Sequence, residues 1–193
     1  RYLIHHATVE ELSQISDAAA TANMCETLCT YIAKGLEQEY GVPEVKSPPP
    51  YGLEWTDQWI REVARITHRE ELAEQVIKSE RERIAFELVQ IRNELAGKRV
   101  FVIAGASFGH SMLAIAKDLG LSVCGIVGFH HDQRFDTEDE KVNSLLSCIR
   151  LCGDIKNYNV CNKQPYQVVN LLKKANPDLL WPGTTPCLRL RLS

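Results

Sequence analysis

Apolar residues recur at helical spacing through the first half of the chain and in short unbroken runs through the second. Thr8-Val-Glu-Glu11 is a capping box, a Thr oxygen for a free amide and a Glu reaching back, and predicts a helix start. Between Ala22 and Glu39, residues Cys25, Leu28, Cys29, Ile32 and Leu36 fall on one stripe. They predict an amphipathic helix that stops before Gly41 and carries both thiols on its inner face. Val42 to Lys46 reads as a short strand. Ser47-Pro-Pro-Pro-Tyr-Gly52 is a rigid loop, because its prolines lack amide donors and restrict the residues before them. Two more helices are predicted over Trp55 to Ile66 and Arg69 to Leu95. The second has Leu72, Val76, Ile84, Leu88 and Ile91 at its apolar positions and a solvated face of Glu, Arg and Lys.

At Lys98 the pattern changes abruptly. Gly97 ends the long helix, and Arg99 to Ala104 is a buried strand followed by the turn Gly105-Ala-Ser-Phe-Gly109 and a helix from His110 to Leu119. A second strand covers Ser122 to Val127, then a polar loop Gly128 to Thr137 and a helix Glu138 to Arg150. A weak strand near Tyr158 to Val160, a helix Pro165 to Ala175 and a strand Asp178 to Trp181 complete the order, and Pro182 to Ser193 shows no structural logic. Strands alternating with helices of this length imply a parallel sheet with right-handed crossovers. The expected fold class is therefore α/β, a Rossmann-like parallel sheet flanked by helices with a helix-rich amino-terminal part. Its boundary falls between residues 1–96, which include the Pro-rich loop, and a Rossmann-like βαβ domain over residues 97–193.

Composition narrows the functional classes. At about 150 residues per domain, 193 residues make one full domain or two small ones. With 22 basic against 25 acidic side chains and a net charge of −3, no basic field exists to hold nucleic acid or an anionic membrane. The longest apolar runs, such as Val100 to Ala106, fall far short of the ~20 residues that cross a bilayer. Arg1-Tyr-Leu-Ile-His-His6 lacks an initiator Met and the pattern of a signal peptide, so the chain is expected to be a fragment. Seven cysteines, an odd number without framework spacing, point to reduced thiols and a cytoplasmic location.

The turn after the first strand is where ligands bind in open parallel sheets. Gly105-Ala-Ser-Phe-Gly109 has neither G-x-G-x-x-G spacing nor a following G-K-[ST], which disfavours nucleotides. Its glycines allow close backbone approach to a bulky anion, with His110 as a donor; the alternative is a plain strand-to-helix turn. Cys25 and Cys29 share a helix face, as do Cys148 and Cys152. C-x-x-x-C alone is a weak metal signature, and Cys29, Cys148 and Cys152 read as structural thiols. His130-His131-Asp132 with Asp136 follows the second strand, as a solvated loop or as imidazoles beside a cluster or substrate. Neither a Ser/His/Asp set nor an H-E-x-x-H helix is present to indicate a hydrolase.

In this order the motifs resemble the nitrogenase component 1 family: the α chain of the molybdenum-iron protein, its vanadium and iron-only counterparts, and the related cofactor-assembly scaffolds. Asn23-Met-Cys-Glu-Thr-Leu-Cys-Thr-Tyr-Ile32 followed by Leu36-Glu-Gln-Glu-Tyr-Gly-Val-Pro43 is similar to the segment in which a cysteine at the head of a helix ligates the active-site cluster. Counting back from Tyr40-Gly41 puts that role on Cys25 rather than Cys29. Leu95-Ala-Gly-Lys-Arg-Val-Phe-Val-Ile-Ala-Gly105 is similar to the family's strand entry, and Lys117-Asp-Leu-Gly120 to the end of the next helix. Phe129-His-His-Asp-Gln-Arg-Phe-Asp136 resembles its aromatic-His-acidic loop, and Leu171-Leu-Lys-Lys-Ala-Asn-Pro-Asp-Leu-Leu180 its last strand entry.

The resemblance implies an oxidoreductase subunit that holds an iron–sulfur-type metallocluster, of molybdenum, vanadium or iron-only type in the full-length complex, and reduces a small substrate. Cys25 is then the metal ligand, Gly105, Ala106, Ser107, Phe108, Gly109 and His110 cradle the cofactor, and His130 and His131 are the catalytic candidates. A thiolate at a helix amino terminus is favoured by the dipole and holds cluster iron, while amides and an imidazole tune its potential. Ala106 and Phe108 stand where the family has a glycine and an arginine, which implies a cluster different from the nitrogen-fixing one. The implied partners are a homologous β-type subunit and an ATP-dependent iron–sulfur reductase. The segments carrying the inter-subunit cluster cysteines and the histidine ligand lie outside these residues, so this chain alone is expected to hold no cluster and to be inactive. The rivals are a non-catalytic scaffold of the same fold on which a cofactor is assembled, and a metal-free small-molecule-binding Rossmann module.

Overall fold

The computed structural model describes residues 7–129, 144–153, 157–160 and 165–183. Helix α1 (Val9–Ser13) and a 3₁₀ turn (Ile15–Asp17) precede α2 (Glu26–Tyr40), α3 (Leu53–Thr67) and α4 (Glu70–Leu95). The sheet region runs β1 (Arg99–Ala104), α5 (Ala106–Asp118), β2 (Ser122–Gly128), α6 (Ser144–Cys152), β3 (Tyr158–Val160), α7 (Pro165–Ala175) and β4 (Leu179–Pro182). All strand pairs are parallel, in the order β3-β2-β1-β4. The α/β sheet flanked by helices is the expected architecture.

β1 is apolar without alternation because it lies at the centre of the sheet with both faces covered. Val100, Val102 and Ala104 pack with Leu113, Ile126 and Trp55 on one face. Phe101 and Ile103 pack with Val127, Val168 and Leu172 on the other. Trp55, on α3, thus shares a core cluster with the sheet, although it stands more than forty positions before β1. The β1–β2 register slips between Val100 and Phe101, so that Cys124 is passed over and Phe101 pairs with Gly125. Arg99 anchors the start of β1, its amide bonding Asp178 Oδ2 at 2.7 Å and its guanidinium the Ala175 carbonyl at 2.8 Å.

Several elements differ from their sequence pattern for identifiable reasons. The capping box at Thr8 forms, but α1 spans five residues and buries none. α2 begins at Glu26 rather than Ala22, because Asn23 Oδ1 accepts the Cys25 amide at 2.9 Å and holds the preceding backbone outside the helix. Its buried stripe includes Ala33 and Leu36, while Ile32 is exposed. The strand expected over Val42 to Lys46 is a single parallel bridge between Glu44 and Thr21. Pro43 has no amide to donate, and its carbonyl accepts the Thr21 amide at 2.8 Å. On α4 the buried residues are Ala73 and Ile77, with Leu72, Val76 and Ile91 exposed. A small alanine at the contact lets this helix lie close to α3, and the pairs Arg61–Glu74 and Arg81–Asp57 bridge the two helices.

α5 starts at Ala106, four residues before the expected His110. Most of the anticipated loop is therefore its first turn, closed by the Gly109 amide on the Gly105 carbonyl at 2.7 Å. Expected helical residues 138–143 before Ser144 lie outside the described residues, as does the tail 184–193. Among the described residues no helix is long and apolar enough to cross a membrane.

Candidate functional site

β1 and β2 end at Ala104 and Gly128, and α5 begins directly beyond the first of these, at the carboxyl edge of the sheet. Gly105 is the N-cap of α5 with φ −61° and ψ 156°, an extended conformation open to any residue. At Gly109 an added Cβ would sit 3.3 Å from Ile126 Cδ1, a tight contact with a side-chain end on β2. That close approach lays the first turn of α5 on β2. The leading amides of the helix have no intrahelical acceptor, which leaves backbone donors at the head of the turn.

The side chains of the turn divide between interior and loop. Ser107 is buried, and the Ser111 hydroxyl donates to its carbonyl at 2.8 Å. Phe108 meets Tyr51 edge-on, with ring centroids 5.9 Å apart, so the turn is braced by the Pro-rich loop. His110 is only 2% exposed, and its Nε2 lies 3.1 Å from the Tyr158 hydroxyl on β3. The two rings stack at 5.8 Å. An imidazole held this way connects the turn to the edge strand of the sheet. Tyr158 had no signal in the sequence as its partner, because the two positions are 48 apart and β3 is only three residues long.

Cys25 is the N-cap of α2, in extended backbone at φ −151° and ψ 111°, half-buried and outside any disulfide. Its carbonyl accepts the Cys29 amide at 3.0 Å, closing the first helical turn. Cys29 is also half-buried, one turn further along. The thiol at the head of a 15-residue helix fits the donor chemistry of a cluster iron, which takes a soft anionic sulfur. His130 and His131 lie outside the described residues; the described part of that segment ends at Phe129, whose amide bonds the Ala104 carbonyl at 3.0 Å.

Cys148 and Cys152 come together on α6, with sulfurs 4.0 Å apart. Cys148 is buried and Cys152 exposed. The hydrogen bond from the Cys148 thiol, together with the nearby Lys117 ammonium, draws the Cys152 thiol below its ordinary range despite partial burial. The same bond, with burial, pushes Cys148 far up. Burial likewise raises the Cys124 thiol. Among the described residues no group of three or more His, Cys, Asp or Glu is placed to hold a metal ion. A separate cleft of about 550 Å³ opens between residues 46–48, α3 and α6, with Lys46, Arg61, Arg65 and Arg150 facing Glu54 and Glu62. Neither Cys25 nor the Gly105 turn lines it.

Comparison with known proteins gives these features a context. The family described as nitrogenase component 1 type oxidoreductase matches residues 1–185. The nitrogenase molybdenum-iron protein alpha chain of Methanococcus maripaludis is 32% identical over 137 residues, covering 70% of this chain and 28% of that protein. The nitrogenase iron-molybdenum cofactor biosynthesis protein NifE of the same species is 25% identical over 180 residues, covering 92% of this chain and 35% of that one. The chain thus spans about a third of the length of the curated relatives it matches. The solved structure of nitrogenase Cp1 at pH 5 superimposes with a TM-score of 0.70 at 18% identity, over 90% of this chain and 40% of that one, which shows a shared fold.

Proposed function

The chain belongs to the nitrogenase component 1 type oxidoreductase family, and on that premise we propose that it forms the part of a nitrogenase-like subunit that presents Cys25 to an iron–sulfur-type cluster. The observation that carries this reading is the half-buried Cys25 thiol at the amino end of α2, where the helix dipole favours a thiolate. Such a cluster, when bound in the full-length complex, supplies low-potential electrons for reduction of a small substrate. The chain's own residues do the rest. Asn23 fixes the backbone of Cys25 through its amide, setting the direction of the ligand. The leading amides of α5 offer hydrogen bonds to anionic sulfides, and Phe108 wedged against Tyr51 holds water back from one side of the turn. His110, tied to Tyr158, positions the turn from behind. In this reading His130 and His131, which come next after Phe129 in the sequence, hold protons for the substrate. The partners in this reading are a homologous β-type subunit and an ATP-dependent iron–sulfur reductase.

A second reading is a scaffold on which a metallocofactor is assembled and handed on, and the similarity to NifE over 92% of the chain supports it. Iron content of the full-length protein made without oxygen tests what both share: Cys25→Ala loses most of its iron and Cys29→Ala keeps most of it. Equal iron in both variants would remove the ligand assignment. Incubation with a cluster-free acceptor then separates the two readings, since a reductase retains its iron and a scaffold transfers it.

A further inference from the structure

Helix α6 ends in two thiols of opposite character. Cys148 is fully buried against α5, its sulfur 3.8 Å from the His110 carbonyl. Cys152 is the last residue of the helix, exposed to solvent, with its sulfur 3.9 Å from the Leu113 carbonyl and 4.0 Å from that of Cys148. The Lys117 ammonium donates to the carbonyl of Leu151, immediately beside it. An accessible sulfur next to a cation, with a second sulfur in contact behind it, is the arrangement of an attacking and a resolving cysteine. We propose that Cys152 is a site of oxidation by peroxides and that Cys148 resolves it to a reversible Cys148–Cys152 disulfide.

The chemistry balances with the peroxide as oxidant. The Cys152 thiolate attacks one peroxide oxygen, the O–O bond breaks, and a sulfenic acid forms as the other oxygen leaves as hydroxide. The Cys148 sulfur then attacks the sulfenic sulfur and the S–O bond breaks; the thiol proton joins the departing oxygen as water. Two thiols are oxidised by two electrons overall, and one hydrogen peroxide is reduced to two waters. The low thiol range of Cys152 favours the first step, and the protonated Cys148 waits for the second.

A disulfide needs the sulfurs at about 2.05 Å, so the last turn of α6 must open. Little opposes this. The terminal turn is held at its end by the Gly153 amide on the Ile149 carbonyl at 2.8 Å, and Gly153 already has φ +74°. Because both sulfurs rest on carbonyls of α5, closure moves α6 relative to the helix that carries the Gly105 turn. The proposal is independent of the cluster, since it rests on α5 and α6 alone.

Peptide mapping of the full-length protein tests it. Trypsin cuts after Arg150, between the two cysteines, so a disulfide would join peptides 142–150 and 151–156. Reduced protein given one equivalent of hydrogen peroxide should yield this linked pair, reversed by dithiothreitol, with Cys152 reacting roughly tenfold faster than Cys124. In Cys148→Ser a dimedone-trapped sulfenic acid should accumulate on Cys152. In Cys152→Ser, Cys148 should stay reduced. Oxidation of Cys152 no faster than that of Cys124, or its passage to sulfinic acid in the unmodified sequence without the linked peptides, would overturn the assignment.

Discussion

Gly125 illustrates how a single residue admits its neighbours. A Cβ there would lie 2.5 Å from Phe101 Cε2 and 2.9 Å from Cδ2, in ring atoms that are themselves fully buried. Gly125→Ala is therefore expected to cost roughly 1–3 kcal/mol, read as a lower midpoint in urea unfolding. The His110–Tyr158 contact makes a milder prediction: Tyr158→Phe should destabilise by about 1 kcal/mol, the ordinary worth of one hydrogen bond. At the thiols the sign follows from the environment. Cys152 is drawn down and Cys124 pushed up, and only thiolates react with iodoacetamide, so the alkylation rate of Cys152 should rise through a lower pH than that of Cys124. Coincident profiles would contradict this. Cys25 was legible as a helix-head residue only through the family motif around it, since its stripe spacing placed it inside the helix. Its actual position depends on the Asn23 side chain, and local side-chain competition of that kind has no periodic signature.

Elements were most legible where one pattern governs many residues. The unbroken apolar run of β1, the long charged α4 and the alternation of strands with helices all carry such patterns. Boundaries set by tertiary partners were not. The N-cap of α3 is Gly52, which has no side chain to cap with, and the missing acceptor comes from α5: Asp118 Oδ2 takes the Leu53 amide at 2.5 Å. The same oxygen would be 2.8 Å from a Cβ at position 52, where φ is +73°, so glycine is required twice over. Asp118→Ala should loosen the start of α3 and cost about 1 kcal/mol, measured by thermal unfolding with amide exchange at Leu53 and Glu54 as the local readout. A residue 65 positions away acting as a cap cannot be inferred from spacing. The isolated Glu44 bridge is a related case, since strand propensity over Val42 to Lys46 needed a partner segment that the fold provides at one residue only.

At the scale of the molecule, the amino-terminal helices and the sheet meet through Trp55, which is 1% exposed and packs with Val100, Val102 and Leu113. Trp55→Ala should cost about 3–5 kcal/mol in global unfolding, because the cavity opens where the two parts join. Fold class was readable from the order of elements, and the family from motifs spread along that order; the surroundings of the Gly105 turn were not, because Tyr51 and Tyr158 come to Phe108 and His110 from distant stretches of sequence. The proposal that the Cys25 sulfur is an iron ligand rests on the family motif around it and on its place at the head of α2. Selenium placed at that atom reads it most directly: with selenocysteine at position 25 of the full-length protein made without oxygen, selenium-edge X-ray absorption should show iron in the first coordination shell. Selenium at position 29 should show none, and a first shell of carbon alone at position 25 in iron-loaded protein would contradict the account.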